Sequence, residues 1–345
     1  MVLNVNDSLI VTRWVHFAAG VALIGVFSFR LFVGDPAFRE AARTGYRVDH
    51  RSLVEKLTRI AFAALCLTLL SGMFWLLLQA SVMSDRPISV VLHNGVVPTV
   101  ILRTQAGRDW LVRTSLLTLL AIFLVLMRKP LHDGSRAPLA IALVLAAAEL
   151  SALVWAGHSG AARGARGAVE QTADALHLLA AGIWLGGLVP LALLLATARR
   201  AGEERWLVVA RNAAGRFSTL GVLSIAGLLA TGIANSWFLV GDLASLLSTN
   251  YGRCLLLKFG LFVLVVGVAC VNRIRLVPLL ASAPAMLDLD PAWETIRELQ
   301  RNTAMEVALG VLILGVVAAL GTLPPAAHPH VHVASMGVRV SAGSP

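Results

Sequence analysis

Long apolar runs alternate with charged stretches along the chain, and eight of these runs are long enough to cross a lipid bilayer. A helix that spans the hydrocarbon core needs about 20 mostly apolar residues. The pattern therefore predicts an all-α polytopic membrane protein with eight transmembrane helices. The third run is the weakest, because Arg113 lies in its first turn. The runs cover residues 9–33, 58–80, 110–127, 138–156, 174–198, 217–239, 253–272 and 303–323.

Composition supports this class: of the 345 residues, 57% are apolar and only 14% are charged. That balance is too apolar for a soluble protein. The first residues lack the basic segment and the small-residue cleavage site of a secretory signal peptide, so we interpret the first run as a retained span. Three cysteines without CxxC spacing support neither a disulfide framework nor a zinc knuckle.

Positive charge is distributed unevenly between the two sides of the predicted bundle. Nineteen of the 29 Lys and Arg residues lie in or beside the loops that follow the first, third, fifth and seventh runs. By the positive-inside rule these loops are cytoplasmic, and both termini are periplasmic. The net charge of +10 is therefore mainly a signal of topology. Because no basic helix or aromatic stacking motif accompanies it, we expect no nucleic-acid partner.

In this orientation most histidines lie on or near the outer side. They are His16, His93, His158, His177, His328, His330 and His332. Imidazole is the commonest metal ligand among side chains and suits copper, zinc, iron and nickel. His93 and His158 can equally be solvated loop residues. The tail segment HPHVH (328–332) can bind divalent metals as an accessory, but flexible histidine-rich tails also do so without a dedicated function.

Three polar residues inside the apolar runs are candidates for a functional site. His16 and His177 lie within apolar helices, where a histidine is costly unless it is paired or binds a ligand. The alternative is a packing histidine bonded to a neighbouring carbonyl. Glu149, in the fourth run, is an intramembrane carboxylate, and its alternative is a structural pair with Arg113 or Lys258, two cations that can also snorkel to the outer interface.

The two halves of the chain share short strings in the same order. HFAAGVALIG matches HLLAAGIWLG, LLSG matches LLATG, and TQAGRDWLVR matches TNYGRCLLLK. Similar features in this order predict a four-plus-four duplication with parallel halves. We expect membrane halves at residues 1–156 and 157–325, followed by a flexible periplasmic tail at 326–345. The repeat would place His16 and His177 at equivalent positions, facing each other.

Residues around His177 suggest how a metal could be held there. Gly182 and Gly186 form a small-xxx-small pair that lets helices approach closely, and Gly187 follows them. Asp174 lies three residues before His177 on the same helical face and could accept its second ring N–H, or could be a solvated first-turn carboxylate. Trp184, seven residues after His177 in the same run, is a candidate for the ion path.

A further polar residue, Glu306, lies in the eighth run. We expect a local ion pair between Glu306 and Arg301.

These residues resemble the CopD family of bacterial copper-resistance membrane proteins. The resemblance rests on GHSG, DALHLLAAGIWLGGLVP, RFSTLGVLSIAGLLATGIAN and TNYGRCLLLKFG, and on the signature H-x6-W-x-G-G formed by His177, Trp184, Gly186 and Gly187. It implies an inner-membrane protein that handles periplasmic copper and moves it towards the cytoplasm. It also implies a periplasmic CopC-like copper-binding protein as a separate partner chain, alongside membrane lipid.

Copper transport or delivery, without enzymatic activity, is therefore the leading hypothesis. One alternative is a b-type haem protein with two histidine ligands. Haem-A synthases also have eight spans in two halves, but their histidines fall on spans other than the first and fifth. Another alternative is a copper-sensing or scaffold membrane protein. A haem would be visible as a Soret band, whereas a scaffold would show neither a metal site nor flux.

Overall fold

The computed structural model describes residues 5–156, 164–240, 243–282 and 289–323. Within these ranges the chain is helical with short connections, and no strand occurs. Eight helical segments are long and apolar enough to cross a membrane, which confirms the predicted number and order of spans. They are span one Val5–Arg43, span two Arg51–Ser84, span three Gln105–Leu126, span four Arg136–Trp155, span five Gly164–Ala201, span six Glu204–Asn235, span seven Asn250–Ser282 and span eight Asp290–Leu320.

Several spans extend well beyond the apolar windows of the sequence. Span one continues to Arg43, and span eight begins at Asp290. The reason is that backbone hydrogen bonding continues into polar sequence, whereas an apolar window marks only the part that suits hydrocarbon. In span one the α-helix Val5–Phe29 passes through a π-helical turn at Arg30–Gly34 before Asp35–Arg43. Arg30 and Asp35 form an ion pair across this turn, with Nη2 3.1 Å from Oδ2.

Short helices precede spans three and seven in the same way. Val96–Arg103 leads into span three, and Leu243–Ser248 leads into span seven. Thr104 Oγ1 then accepts a hydrogen bond from the Gly107 amide at 3.1 Å, and Thr249 Oγ1 accepts one from the Gly252 amide at 3.0 Å. A threonine in this role caps the helix N-terminus. The repeated T-x-x-G string is thus the same capped helix start in each half.

The glycines of these two strings have a steric role as well. A Cβ added at Gly107 would overlap the backbone of Val100 and Ile101, and one added at Gly252 would overlap the backbone of Leu246. Each short helix therefore packs directly against the first turn of the following span. This close approach fixes the N-terminal ends of spans three and seven.

Spans one and five cross at the centre of the bundle. A Cβ at Gly25 would overlap the backbone of Gly186, and a Cβ at Gly186 would lie 2.9 Å from Gly25 Cα. Gly182, one turn earlier in span five, lies against the side chains of Ile24 and Leu150. In span one, 72% of the apolar window is buried within the protein, whereas in span seven only 11% of the apolar window is buried. Span one is therefore a central helix, and span seven is peripheral.

Span eight joins the two halves by running along spans one and five. Trp14 Nε1 donates to the Val311 carbonyl at 3.0 Å, and Arg13 Nη1 donates to the Gly321 carbonyl at 2.9 Å. Gly310, further along the same helix, lies against Leu185 of span five. The C-terminal end of span eight is consequently fixed to span one, and its middle is fixed to span five.

Candidate functional site

His16 is buried in span one and hydrogen-bonded to span two. Its side chain is 1% exposed, and Nδ1 lies 2.9 Å from Ser71 Oγ. The Ser71 hydroxyl donates to the Leu67 carbonyl of its own helix, so it accepts the Nδ1–H proton of His16. This assignment leaves the lone pair of the neutral imidazole on Nε2, which is the ring atom available to a metal ion.

The Nε2 side of His16 faces a buried ion pair. Arg113 Nη2 of span three contacts His16 Nε2 and lies 3.3 Å from Glu149 Oε1 of span four. Glu149 Oε1 is itself 3.8 Å from His16 Nε2. Four spans of the first half therefore meet at one polar cluster. Because a carboxylate in a low-dielectric interior needs a compensating cation, Arg113 turns inward. The alternative of a structural pair between Glu149 and Arg113 is confirmed, and Arg113 does not snorkel to the interface.

Trp75 forms an aromatic wall beside this cluster. Its ring is edge-on to His16, with a centroid distance of 5.4 Å. The guanidinium groups of Arg113 and Arg13 lie 5.5 Å and 4.9 Å from the Trp75 ring centroid. Guanidinium over an aromatic face is a favourable arrangement. The ring thus shields the His16 pocket while bringing a second cation, Arg13, close to it.

His177 has an equivalent arrangement in the second half. Its Nδ1 lies 2.9 Å from Thr231 Oγ1 of span six, and the Thr231 hydroxyl donates to the Gly227 carbonyl at 2.6 Å. Thr231 therefore accepts the Nδ1–H proton, and Nε2 again carries the lone pair. The glycine after each hydroxyl residue makes room for the ring: a Cβ at Gly72 would lie 3.4 Å from His16 Cε1, and one at Gly232 would lie 3.6 Å from His177 Cε1.

The charged neighbours differ between the halves. Lys258, six residues after Gly252 as Arg113 is after Gly107, interacts electrostatically with His177. The carboxylate of Asp174 in turn interacts with Lys258 and with Tyr251. The acidic group therefore comes from span four in the first half and from span five in the second. The His177 ring is oriented by the hydrogen bond that its Nδ1–H donates to Thr231.

The two histidines have separate sets of partners, one in each half. Within residues 5–156, 164–240, 243–282 and 289–323, no group of three or more His, Cys, Asp or Glu side chains is placed to hold a metal ion. The chemistry available at each site is thus a single imidazole Nε2 with a cation beside it. A carboxylate lies near that imidazole in the first half.

Trp184 lies seven residues after His177 in span five. It is 2% exposed and edge-on to Phe262, with a centroid distance of 6.4 Å. Gly187, one turn further, lies against Phe217, whose Cε2 would be 2.8 Å from an added Cβ. Trp184 lines a cavity of about 90 Å³ between spans five, six, seven and eight.

A second polar cluster lines the same cavity. Glu306 Oε1 accepts a hydrogen bond from Asn272 Nδ2 at 2.5 Å, and Asn272 Oδ1 accepts one from Asn302 Nδ2 at 2.8 Å. Glu306 is 3% exposed. The expected ion pair with Arg301 is wrong. Residues five apart on a helix point to different faces, so Arg301 is exposed while Glu306 faces the bundle.

The remaining candidate histidines are not part of these clusters. His93 is exposed on the short helix Ile88–His93, and its ring bonds through Nδ1 to the Ser89 carbonyl at 2.7 Å. His158 lies outside the described residues, as do His328, His330 and His332.

Sequence reasoning missed the hydroxyl residues that orient both rings, Ser71 and Thr231. The signal was present in the paired strings LLSG and LLATG, which were used only as marks of duplication. It also missed Asn272 and Asn302, for which the order of residues alone offers no equivalent signal.

This architecture defines a class: an all-α polytopic membrane protein with eight candidate spans among the described residues, in which His16 and His177 each bond to a hydroxyl group of the following span. Sequence comparison gives the family. The profile described as "Copper resistance protein D-like, N-terminal domain" matches residues 5–168, and that described as "Copper resistance protein D" matches residues 211–320. The chain belongs to the copper resistance protein D family.

Three relatives agree with this assignment. Copper resistance protein D of Pseudomonas syringae pv. tomato is 31% identical over 310 residues, which cover 89% of this chain and 91% of the relative. Inner membrane protein YebZ of Escherichia coli (strain K12) is 28% identical over 316 residues, 92% of this chain and 98% of the relative. Copper transport protein CutJ of Bacillus subtilis (strain 168) is 24% identical over 267 residues, 77% of this chain but 46% of the relative.

The family and the eight apolar helices make this chain a multi-pass inner-membrane protein with a copper-related function.

Proposed function

We propose that this protein binds copper at its periplasmic side through His16 and His177 and passes it across the inner membrane. The observation that carries the proposal is the repeated arrangement of the two rings. His16 is buried and His177 is half-buried, and each bonds to a hydroxyl group through Nδ1. Such a bond fixes the tautomer and orientation that a metal ligand requires.

Arg113 determines how copper would reach His16. Its guanidinium occupies the Nε2 side of the ring and pairs with Glu149. A copper ion can bind Nε2 only when this group moves away. Replacing a guanidinium with Cu(I) keeps one positive charge beside the Glu149 carboxylate, so the exchange avoids leaving a buried anion uncompensated. Arg113 would thus act as a resident cation that copper displaces.

The second half supplies a path inward. From His177, span five leads past Trp184 to the cavity that also includes Cys270, Asn272 and Glu306. Thiol, amide and carboxylate groups at this depth could receive copper before its release. Asp174, which interacts with Lys258, would tune the charge beside His177.

The positive-inside pattern supports a periplasmic position for both termini. Copper would then be captured first by His93, by His158 or by the tail histidines His328, His330 and His332. A CopC-like periplasmic protein would deliver it as a separate chain. In this proposal copper is the cargo, and the protein is a transporter or delivery protein and not an enzyme. A haem ligated by two histidines has less support, since His16 Nε2 is covered by Arg113 and the rings have separate partners.

Copper binding by the purified full-length protein tests the proposal. We would measure bound Cu(I) against a competing chelator for the wild type, His16→Ala, His177→Ala and the double variant. The expected result is a loss of one tight site in each single variant and of both in the double variant. His50→Ala is the matched control, because its ring stacks on Phe38 and lies beside the Val48 carbonyl, apart from both histidine clusters.

Tight binding that survives the double substitution would overturn the proposed site. A Soret band in the same samples, lost on substitution of either histidine, would instead support the haem alternative.

A further inference from the structure

A large cavity opens among spans one, two and three at the arginine-rich end of the bundle. Its volume is about 680 Å³, within the range of about 300–1,000 Å³ that is typical of ligand pockets. The short helix Arg128–His132 forms part of its wall. None of the groups discussed above as copper sites lines it, so its role is separate from the proposed function.

One side of this cavity is apolar. Val26 and Phe27 of span one, Ala61 and Phe62 of span two and Leu124 of span three lie along it. In each of these three spans the apolar residues lie on the mid-span side of the cationic residues that line the cavity. They are therefore further from the end of the bundle than the cations are. The apolar side of the cavity therefore lies at the level of the hydrocarbon region.

The other side is cationic. Arg30, Arg59, Arg128 and Lys129 line it, together with His132. Arg30 is paired with Asp35, and Arg59 Nη2 lies 3.5 Å from Glu55 Oε2. Among the described residues, Arg128 and Lys129 have no ion-pair partner. After pairing, the cavity retains two positive charges at its rim.

We propose that this cavity binds the headgroup of an acidic phospholipid. Its phosphate would lie between Arg128 and Lys129, and an acyl chain would lie along Phe62 and Leu124. The arrangement matches the two-part chemistry of such a lipid: an anion at the membrane surface and a hydrocarbon chain directed into the bilayer. Basic pockets between transmembrane helices are established binding places for acidic lipid headgroups.

Native mass spectrometry of the full-length protein tests this proposal. The wild type would be titrated with phosphatidylglycerol, with phosphatidylcholine and with inorganic phosphate, and thermal unfolding would be followed in the same mixtures. We expect one retained phosphatidylglycerol and a rise in Tm with that lipid alone. Each cation near a membrane surface contributes about fivefold to such binding, so Arg128→Gln with Lys129→Gln should weaken it about 30-fold.

The matched control is Arg43→Gln with Arg47→Gln. It removes the same charge from the end of span one and the loop that follows it, where both residues are exposed and neither lines the cavity. Lys129→Gln alone changes one exposed side chain, so it keeps the test decisive if the double variant fails to fold. Binding should weaken about fivefold in this single variant.

Three results would overturn the proposal: an equal response to phosphatidylcholine, an equal Tm rise with inorganic phosphate alone, or phosphatidylglycerol binding that Lys129→Gln leaves unchanged. Loss of binding in the control pair to the same extent would mean that the surface charge as a whole attracts the lipid, and this too would contradict a defined site.

Discussion

Arg113 contacts Nε2 of His16, the ring atom that a metal ion would use, while its other partner is the Glu149 carboxylate at 3.3 Å. All three side chains are buried, at 6%, 1% and 1% exposure for Arg113, His16 and Glu149. The cluster is therefore electrically balanced without copper, and any cation that reaches His16 competes with Arg113. This relationship leads to the first prediction.

Arg113→Gln should make the copper-free protein less stable and the copper-bound site tighter. Loss of the guanidinium leaves Glu149 buried without a cation, which costs about 3–5 kcal/mol of unfolding free energy. Copper then has no competitor at His16 Nε2, and we expect at least about tenfold higher affinity, equivalent to about 1.4 kcal/mol. Thermal unfolding and chelator competition, both in a His177→Ala background, would measure the two effects.

Arg216→Gln is the control for this substitution. Arg216 pairs with Glu40 at 2.9 Å on the exposed surface, where an ion pair contributes about 0–1 kcal/mol. It should change neither stability nor copper affinity appreciably. If copper affinity fell in Arg113→Gln, Arg113 would be a positioning residue for the ligand instead of its competitor.

Ser71→Ala and Thr231→Val should each weaken copper binding at the neighbouring histidine. Both substitutions remove the acceptor that fixes the ring through Nδ1. Loss of such a supporting hydrogen bond costs about 10–100-fold in metal affinity. Chelator competition would be measured with the other histidine replaced by alanine, so that one site is observed at a time.

Ser84→Ala is the matched control for Ser71→Ala. Ser84 is on the same span, and its hydroxyl bonds to backbone carbonyls of its own helix. Copper affinity should not change in this variant. Unchanged affinity in both Ser71→Ala and Thr231→Val would show that the two histidines are packing residues.

Gly25→Ala and Gly186→Ala should each destabilise the bundle. An added methyl group would overlap the backbone of the facing helix, and overpacking of this kind costs about 1–3 kcal/mol or more. Gly260→Ala and Gly267→Ala provide the contrast, because nothing lies within 4 Å of a Cβ at either position. Those two should be neutral or up to about 1 kcal/mol more stable, since alanine favours a helix over glycine.

Chemical or thermal unfolding in a single detergent would compare the four glycine variants. Equal stability of the two pairs would contradict a backbone-to-backbone crossing of spans one and five.

Asn272→Leu should lower the free energy of unfolding by about 1–3 kcal/mol. It removes the side chain that donates a hydrogen bond to the buried Glu306 carboxyl group. Adding Glu306→Leu should recover part of this loss, since replacing both partners with apolar groups is far less costly than leaving one unpaired. Ser218→Ala, which removes the acceptor of exposed Arg273 on the same cavity, should have little effect. A double variant less stable than Asn272→Leu would contradict the pairing.

The spans could be read from the sequence because length and apolar content alone decide whether a helix suits the bilayer. His16, His177 and Glu149 could be selected because polar groups there are costly. The hydroxyl partners of the two histidines were harder to select. Serine and threonine are common in spans and usually bond to their own helix, as Ser71 and Thr231 also do, so only their shared place in the paired strings LLSG and LLATG distinguishes these two.

The direction in which a long side chain points could not be predicted from the sequence either. Arg113 near a span end can reach outward to water or inward to a carboxylate, and only the packing of spans three and four decides between these. For Glu306 a purely local argument failed in a different way, because proximity in sequence to Arg301 says nothing about which helix face each residue occupies.

The crossing of Gly25 and Gly186 has a mechanical consequence. Two helices that touch through bare backbone have no interlocking side chains at that point, so it is the natural pivot for one half against the other. His16 and His177 each lie nine residues from their glycine, a lever arm of about 13 Å at 1.5 Å per residue. A rotation of about 10° at the pivot would carry each ring about 2 Å, comparable to the distance between breaking and making a bond to a metal ion.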